Sequence, residues 1–160
     1  MINVIGLGYI GLPTALALAA HGNKVTGTDI NAGIVNKLNA GEVTFKEEGL
    51  QELYNEALKK GIEFSAGHKA ADTYVVAVPT PYDKVSKKID PGYIILAVDS
   101  VLAVCGKGAV IVIESTVSPG TIDRHIRPII SEKGFVTGKD IHIVHAPERI
   151  TPPPTSMYGL

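Results

Sequence analysis

The fold class this sequence predicts is α/β: a doubly wound, mostly parallel sheet with helices on both faces. Three observations predict it. Short β-branched runs alternate with helical stretches almost from end to end, and strands separated by helices pair in parallel. The runs Thr73–Val78 and Ala109–Ile113 are nearly continuous in apolar residues, as strands covered on both faces require. The first run, Ile2–Ile5, feeds directly into Gly6-Leu7-Gly8-Tyr9-Ile10-Gly11 and an Ala/Leu-rich stretch, the order of a strand, a tight turn and a helix.

The elements follow in turn. Ile10 to Ala20 reads as the first helix, stopped at Gly22. Lys24 to Thr28 reads as a second strand, with Asp29 at its C-terminal end. Asn31 caps a second helix that runs to about Asn39 and ends at Gly41. Leu50, Leu53, Tyr54, Ala57 and Leu58 fall on one face of a third helix, with Gly61 at its stop. Ile62 to Phe64 is a short strand, and Thr73 to Val78 a buried one. Asp90-Pro91 gives a cap and a first-turn proline to a helix from Gly92 to about Val104. Ala109 to Ile113 is again a buried strand. Ser118-Pro119 opens a helix that Gly134 closes, with Pro128 inside it as a kink. Ile141 to Val144 is the last strand. Thr151-Pro152-Pro153-Pro154 begins a segment without periodicity, suited to polyproline II and to a frayed end. The domain is therefore expected over 1–150, with an irregular tail at 151–160.

Composition narrows the function classes. The chain has 160 residues, enough for one domain with a real core. A net charge of −1, with no Lys/Arg cluster, argues against nucleic acid as a partner. No 18-residue apolar run is present, so no membrane span is expected. A single cysteine excludes an internal disulfide framework. With no signal-peptide pattern at the N-terminus, the expected location is cytoplasmic. The five histidines show no metal-ligand spacing, so no metal site is expected.

The glycine run points to a dinucleotide. Gly6 allows a tight turn, Gly8 lets the backbone approach a pyrophosphate, and Gly11 lets helix and strand pack closely. The helix N-terminus then faces the phosphates. Asp29 lies eighteen residues beyond Gly11, near the spacing of about 20 expected for a carboxylate on the adenosine ribose. It would repel a 2′-phosphate and no arginine sits nearby, so NAD is expected over NADP. Ligands of open α/β sheets bind beyond the carboxyl ends of the strands. There this sequence places the glycine loop, Asp29, Pro79-Thr80-Pro81, Glu114-Ser115-Thr116 and His145-Ala146-Pro147-Glu148-Arg149. Singly, Thr80, Ser115 and Thr116 serve as well as turn or cap residues, and Glu148-Arg149 as a surface pair. Together they gather polar groups along one sheet edge.

Four of these segments, in this order, carry a family resemblance: Gly-Leu-Gly-Tyr-Ile-Gly-Leu-Pro at 6–13, Val-Pro-Thr-Pro at 78–81, Glu-Ser-Thr-Val at 114–117 and Ala-Pro-Glu-Arg at 146–149. They resemble the N-terminal domain of the UDP-glucose/GDP-mannose dehydrogenases, over about residues 2–150. Glu47-Glu48-Gly49-Leu50 is similar to that family's Glu-Pro-Gly-Leu, with Glu48 in place of proline. Pro-Glu-Arg is closer to the UDP-N-acetylmannosamine branch than to the UDP-glucose branch. The resemblance implies a Rossmann domain binding NAD through Gly6, Gly8, Tyr9, Ile10, Gly11, Asp29, Val78, Pro79, Thr80, Ser115 and Thr116. It implies a two-step NAD-dependent oxidation of a sugar C6 alcohol to a carboxylate, through a thioester on a cysteine. Thr116 would hold a water or the reacting oxygen, and Glu148 would serve in acid/base work.

The family's cysteine lies in a later substrate domain, so the chain is expected to be inactive alone. Cys105 reads as a small buried hydrophobe. A UDP-sugar and a second copy of the chain are the partners implied. After Pro-Glu-Arg the sequence departs from the family's Pro-Gly, which fits a truncation, a frameshift or a free-standing remnant. Two other functions suit the residues: a regulatory module that binds NAD or a nucleotide sugar, and another Rossmann enzyme such as a β-hydroxyacid dehydrogenase. The loops at 78–81 and 146–149 fit the latter less well.

Overall fold

The computed structural model describes residues 1–148. Arg149 and the expected tail at 151–160 lie outside the described residues. Six strands form one parallel sheet: β1 (Ile2–Ile5), β2 (Val25–Thr28), β3 (Glu63–Ser65), β4 (Thr73–Val76), β7 (Ala109–Ile113) and β8 (Ile141–His145). Their spatial order is β3-β2-β1-β4-β7-β8. The order reverses between β1 and β4, which opens a crevice beyond their carboxyl ends. A small antiparallel hairpin, β5 (Tyr82–Asp83) with β6 (Lys88–Ile89), is inserted after β4.

Alternation along each strand sends side chains to two cores. Val4 and Val75 join one, with Leu12 and Leu16 of α1 (Gly11–Ala20), Leu38 of α2 (Ala32–Asn39) and Tyr54 of α3 (Leu50–Lys59). Ile5, Tyr74 and Val76 join the other, with Val98 of α4 (Gly92–Leu102), Ile126, and Ile130 of α5 (Arg127–Glu132). Helices thus cover both faces, as the sequence leads one to expect. The Tyr54 hydroxyl, buried in the first core, donates to the Leu38 carbonyl and ties α3 to α2. Asn3 is buried inside the sheet, where its amide donates to the Thr26 carbonyl at 2.9 Å and the Thr28 hydroxyl at 2.7 Å.

Four local expectations are corrected. Strand β3 lies one residue later than Ile62–Phe64. Strand β4 ends at Val76 rather than Val78, because Pro79 and Pro81 have no N–H to continue a ladder. Leu58 is exposed at 43 %, since the buried face of α3 is set by Leu50, Tyr54 and Ala57. Residues 82–89, to which the sequence assigns no element, form the hairpin, with Lys87 and Lys88 exposed. There the Asp83 carboxylate accepts from the Val85 and Ser86 amides, and Lys87 takes φ 58°.

The fourth correction concerns the helix expected from Ser118-Pro119. A turn comes first, in which the Thr121 amide donates to the Ser118 carbonyl. A π-helical segment follows at Ile122–Ile126, and only then α5. The Arg127 amide bonds five residues back, to Ile122. Pro128, with no N–H to give its helical acceptor, sits where the register changes.

Candidate functional site

Every strand-end segment singled out in the sequence opens onto one cleft of about 880 Å³ along the carboxyl edge of the sheet. The end of β1 builds its floor. Gly6 takes φ +88°, and a Cβ there would stand 2.7 Å from the Ala77 carbonyl oxygen. A Cβ at Gly11 would run into the Gly6 carbonyl and stand 3.0 Å from the Ala77 methyl. These two glycines are therefore demanded by the close fit of β1, α1 and β4. Gly8 is different, because nothing lies within 4 Å of its would-be Cβ. No protein atom requires a glycine at Gly8, and the space over it is open to the cleft. No side chain caps the start of α1, whose N-cap Ile10 lines the cleft, so the positive end of its dipole there has no side-chain acceptor.

Asp29 stands at the end of β2 and is held by the loop it serves. Its Oδ2 accepts from the Leu7 amide and its Oδ1 from the Asn31 amide, both at 2.8 Å. A carboxylate offers about four lone-pair sites, so each oxygen can still accept a ribose hydroxyl. Tyr9 leaves the glycine loop to pair with Phe45, ring centroids 5.2 Å apart. Partial burial, and then a hydrogen bond to Glu47 with that group's charge, push the Tyr9 phenol above its ordinary value. The Glu-Glu-Gly-Leu segment is thereby fastened to the glycine loop.

At the other end of the cleft, the loops after β4, β7 and β8 are tied together. The Ser115 hydroxyl donates to the Val78 carbonyl at 2.7 Å, which anchors the Pro79-Thr80 loop. The Thr116 hydroxyl donates to the Glu148 carbonyl at 2.9 Å, and the Glu148 amide donates to the Glu114 carbonyl at 3.1 Å. With its proton so committed, the Thr116 oxygen is left as an acceptor toward the cleft.

Gly6, Gly8, Tyr9, Ile10, Asp29, Val78, Pro79, Thr80, Ser115, Thr116 and Glu148 all line this cleft. Gly11 is buried behind it. Arg149 lies outside the described residues. Cys105 is remote. It precedes β7 at the amino edge of the sheet, half-buried against the second core, and burial pushes its thiol up. Among the described residues no group of His, Cys, Asp or Glu is placed to hold a metal ion, and no helix is long and apolar enough to cross a membrane.

Sequence reasoning placed Glu114 on this edge, directly after β7, but gave it no role. Its Oε1 accepts from the Thr14 hydroxyl at 3.1 Å, and its buried Oε2 has no partner. Burial pushes this carboxyl above the usual carboxylate range. The Thr14 hydrogen bond opposes that shift and the Glu148 charge adds to it. Sequence reasoning missed Ile30, His68, Tyr93 and Leu96 on the cleft walls. None of these carries a motif, and only the crossing of the chain brings them there.

Comparison with known proteins adds a relationship. A family model described as "UDP-glucose/GDP-mannose dehydrogenase family, NAD binding domain" matches residues 1–157. A UDP-N-acetyl-D-mannosamine dehydrogenase of Methanococcus vannielii is 41% identical over 155 residues, covering 94% of this chain and 34% of that protein. The solved UDP-N-acetyl-mannosamine dehydrogenase of Staphylococcus aureus superposes with a TM-score of 0.90 at 42% identity, over 96% of this chain and 38% of that one. The UDP-D-ManNAc dehydrogenase of Pyrococcus horikoshii gives 0.87 at 33% identity, over 96% and 38%. The chain spans about a third of the length of the curated relatives it matches.

Proposed function

The chain belongs to the UDP-glucose/GDP-mannose dehydrogenase family, whose NAD-binding domain it carries, and we propose that it supplies the cofactor half of a nucleotide-sugar 6-dehydrogenase. The substrate class on this reading is a UDP-sugar of the N-acetylmannosamine type. Its C6 alcohol is oxidised to a carboxylate in two NAD-dependent steps. The observation that carries the reading is the gathering of the glycine loop, Asp29, the 78–81 loop, Ser115-Thr116 and Glu148 on one cleft.

The residues present fit the dinucleotide. The open space over Gly8 admits a pyrophosphate against the backbone. Asp29 accepts from the ribose hydroxyls with the lone pairs its two amide partners leave free. NAD, when bound, accepts the hydride removed from the sugar carbon. The chain's own groups then act at the other end. Thr116, its proton given to the Glu148 carbonyl, accepts a hydrogen bond from a water or from the reacting hydroxyl. Glu148 takes or returns a proton there, provided it lies within hydrogen-bond reach of the reacting group. The placement of Cys105 at the opposite sheet edge supports a nucleophilic thiol drawn from a part of the relatives' length that this chain does not span. On that reading residues 1–150 form the cofactor domain and do not complete the oxidation alone.

Two measurements test this. NADH production from UDP-N-acetylmannosamine should be absent with the 160-residue chain and should appear when the remaining domain of a full-length relative is supplied. Turnover by the chain alone would overturn the division of labour. With the domain supplied, Thr116→Ala and Glu148→Gln should each lower kcat by about 10²-fold or more, and in Glu148→Gln NAD+ affinity should stay within about twofold. Normal turnover in either variant removes that residue's role.

A further inference from the structure

Glu114 is a carboxyl group set beside the place where the cleft would receive negative charge. It directly follows β7 and lines the cleft together with the glycine loop, Ser115, Thr116 and Glu148. Its Oε1 accepts from the hydroxyl of Thr14, in the opening turn of α1. Glu114 is therefore bonded within about one helical turn, 5.4 Å of rise, of the helix end that follows the glycine loop. Its Oε2 is sealed from solvent and has no hydrogen-bond partner among the described residues.

An oxygen without a partner is unsatisfied with or without a proton, so hydrogen bonding does not choose between the two states. Charge does, because a buried carboxylate lacking a countercharge costs far more than a buried neutral acid. The elements packed against Glu114 supply no countercharge. From α1 comes the Thr14 hydroxyl, from β4 the Val76 carbonyl, which accepts from the Glu114 amide, and from the segment after β8 the Glu148 charge. The other titratable groups on the cleft are Tyr9, Asp29, His68 and Tyr93. The partial positive charge at the start of α1 is the one that phosphates would take. Burial holds the Glu114 pKa up, against the Thr14 hydrogen bond and with the Glu148 charge.

A dinucleotide on the glycine loop adds the negative charges of its pyrophosphate and displaces water from the cleft. Both changes favour the neutral acid. We propose that Glu114 takes up a proton when the cleft is filled, so that a neutral acid, not a second anion, ties β7 to α1 beside the pyrophosphate. This deepens the cofactor reading of the same cleft and rests on it. The filled cleft then holds the Glu114 proton more tightly than the empty one. Affinity is therefore full at low pH and falls as pH rises from the empty chain's Glu114 pKa toward that of the complex.

The test uses the full 160-residue chain and ADP-ribose, whose charge lies wholly on its pyrophosphate. Calorimetry from about pH 5 to about pH 9, in pairs of buffers with different ionisation enthalpies, counts the protons taken up on binding. Glu114→Gln keeps an acceptor for Thr14 and cannot ionise. Asp29, His68 and Glu148 are common to both proteins, so the difference between wild type and Glu114→Gln isolates Glu114. That variant should lose a peak of proton uptake that the wild type shows. It should bind as the wild type does at the acid end and about threefold or more tightly than the wild type at the alkaline end. Thr14→Val removes the hydrogen bond that favours the charged form, and should move the uptake peak to higher pH. The same pH dependence in wild type and Glu114→Gln, weaker binding by Glu114→Gln at the alkaline end, or a peak that fails to move up in Thr14→Val overturns the assignment. Each of these leaves the cleft's cofactor role standing. Failure of the wild-type chain to bind either ADP-ribose or NAD+ at any pH in this range sinks both.

Discussion

Alanine at each of the three loop glycines separates what the fold needs from what the ligand needs. Gly6 and Gly11 are hemmed in by Ala77 and by each other, whereas Gly8 faces open space. Gly11→Ala should destabilise the chain by about 1–3 kcal/mol, because helix and strand must move apart. Gly8→Ala should leave stability within about 0.5 kcal/mol and weaken NAD+ about tenfold or more. Thermal unfolding and calorimetry of the two variants check this. An unstable Gly8→Ala would mean that the loop is structural throughout. Asp29 both ties the loop and lines the cleft. Asp29→Ala strands the Leu7 and Asn31 amides, costing about 1–2 kcal/mol, and should relax the preference for NAD+ over NADP+. An unchanged NAD+/NADP+ ratio contradicts the ribose role.

Glu114 gives a prediction in pH. Burial raises its folded pKa above the unfolded value, so the folded chain holds this proton more tightly. Its contribution is then favourable at low pH and is lost as pH rises from the unfolded toward the folded value. Glu114→Gln keeps an acceptor for Thr14 and removes the charge. Its stability relative to wild type should therefore improve as pH rises from about 4 to 7, as equilibrium urea unfolding would read. A flat or opposite trend contradicts the burial argument.

At the scale of elements, periodicity and punctuation carried the sequence reading. Glycine stops after α1, α2 and α3, the Asn31 cap and the apolar run of β7 lie where the pattern places them, and β4 starts where it is placed but ends two residues early. Local backbone chemistry was less legible. The hairpin β5–β6 depends on the Asp83 carboxylate bonding two amides and on Lys87 accepting a left-handed conformation, and neither shows as hydrophobic alternation. Pro128 signals a break, but not that the turn before it widens to a π-helical register. Lys87 is the residue to test. Lys87→Gly at φ 58° relieves a strained side chain and should stabilise the chain by about 0.5–1 kcal/mol by equilibrium unfolding. A loss of stability would mean that the lysine itself is needed in the turn.

For the whole molecule, two cores on opposite faces fix the six strands, and the reversal between β1 and β4 puts the cleft where the loops converge. That convergence is why the motif residues were legible: each directly follows a strand, and parallel strands end on one edge. Ile30, His68, Tyr93 and Leu96 were not, because their place on the cleft depends on how loops and helices lie against the sheet. The central claim is that this chain, by itself, presents a complete NAD cleft. Calorimetric titration of NAD+ into the 160-residue chain tests it most directly. Saturable one-to-one binding, tighter for NAD+ than for NADP+ and lost in a fully folded Gly8→Ala variant, is the predicted result. No detectable binding at millimolar NAD+, or wild-type binding by the Gly8→Ala variant, would contradict it.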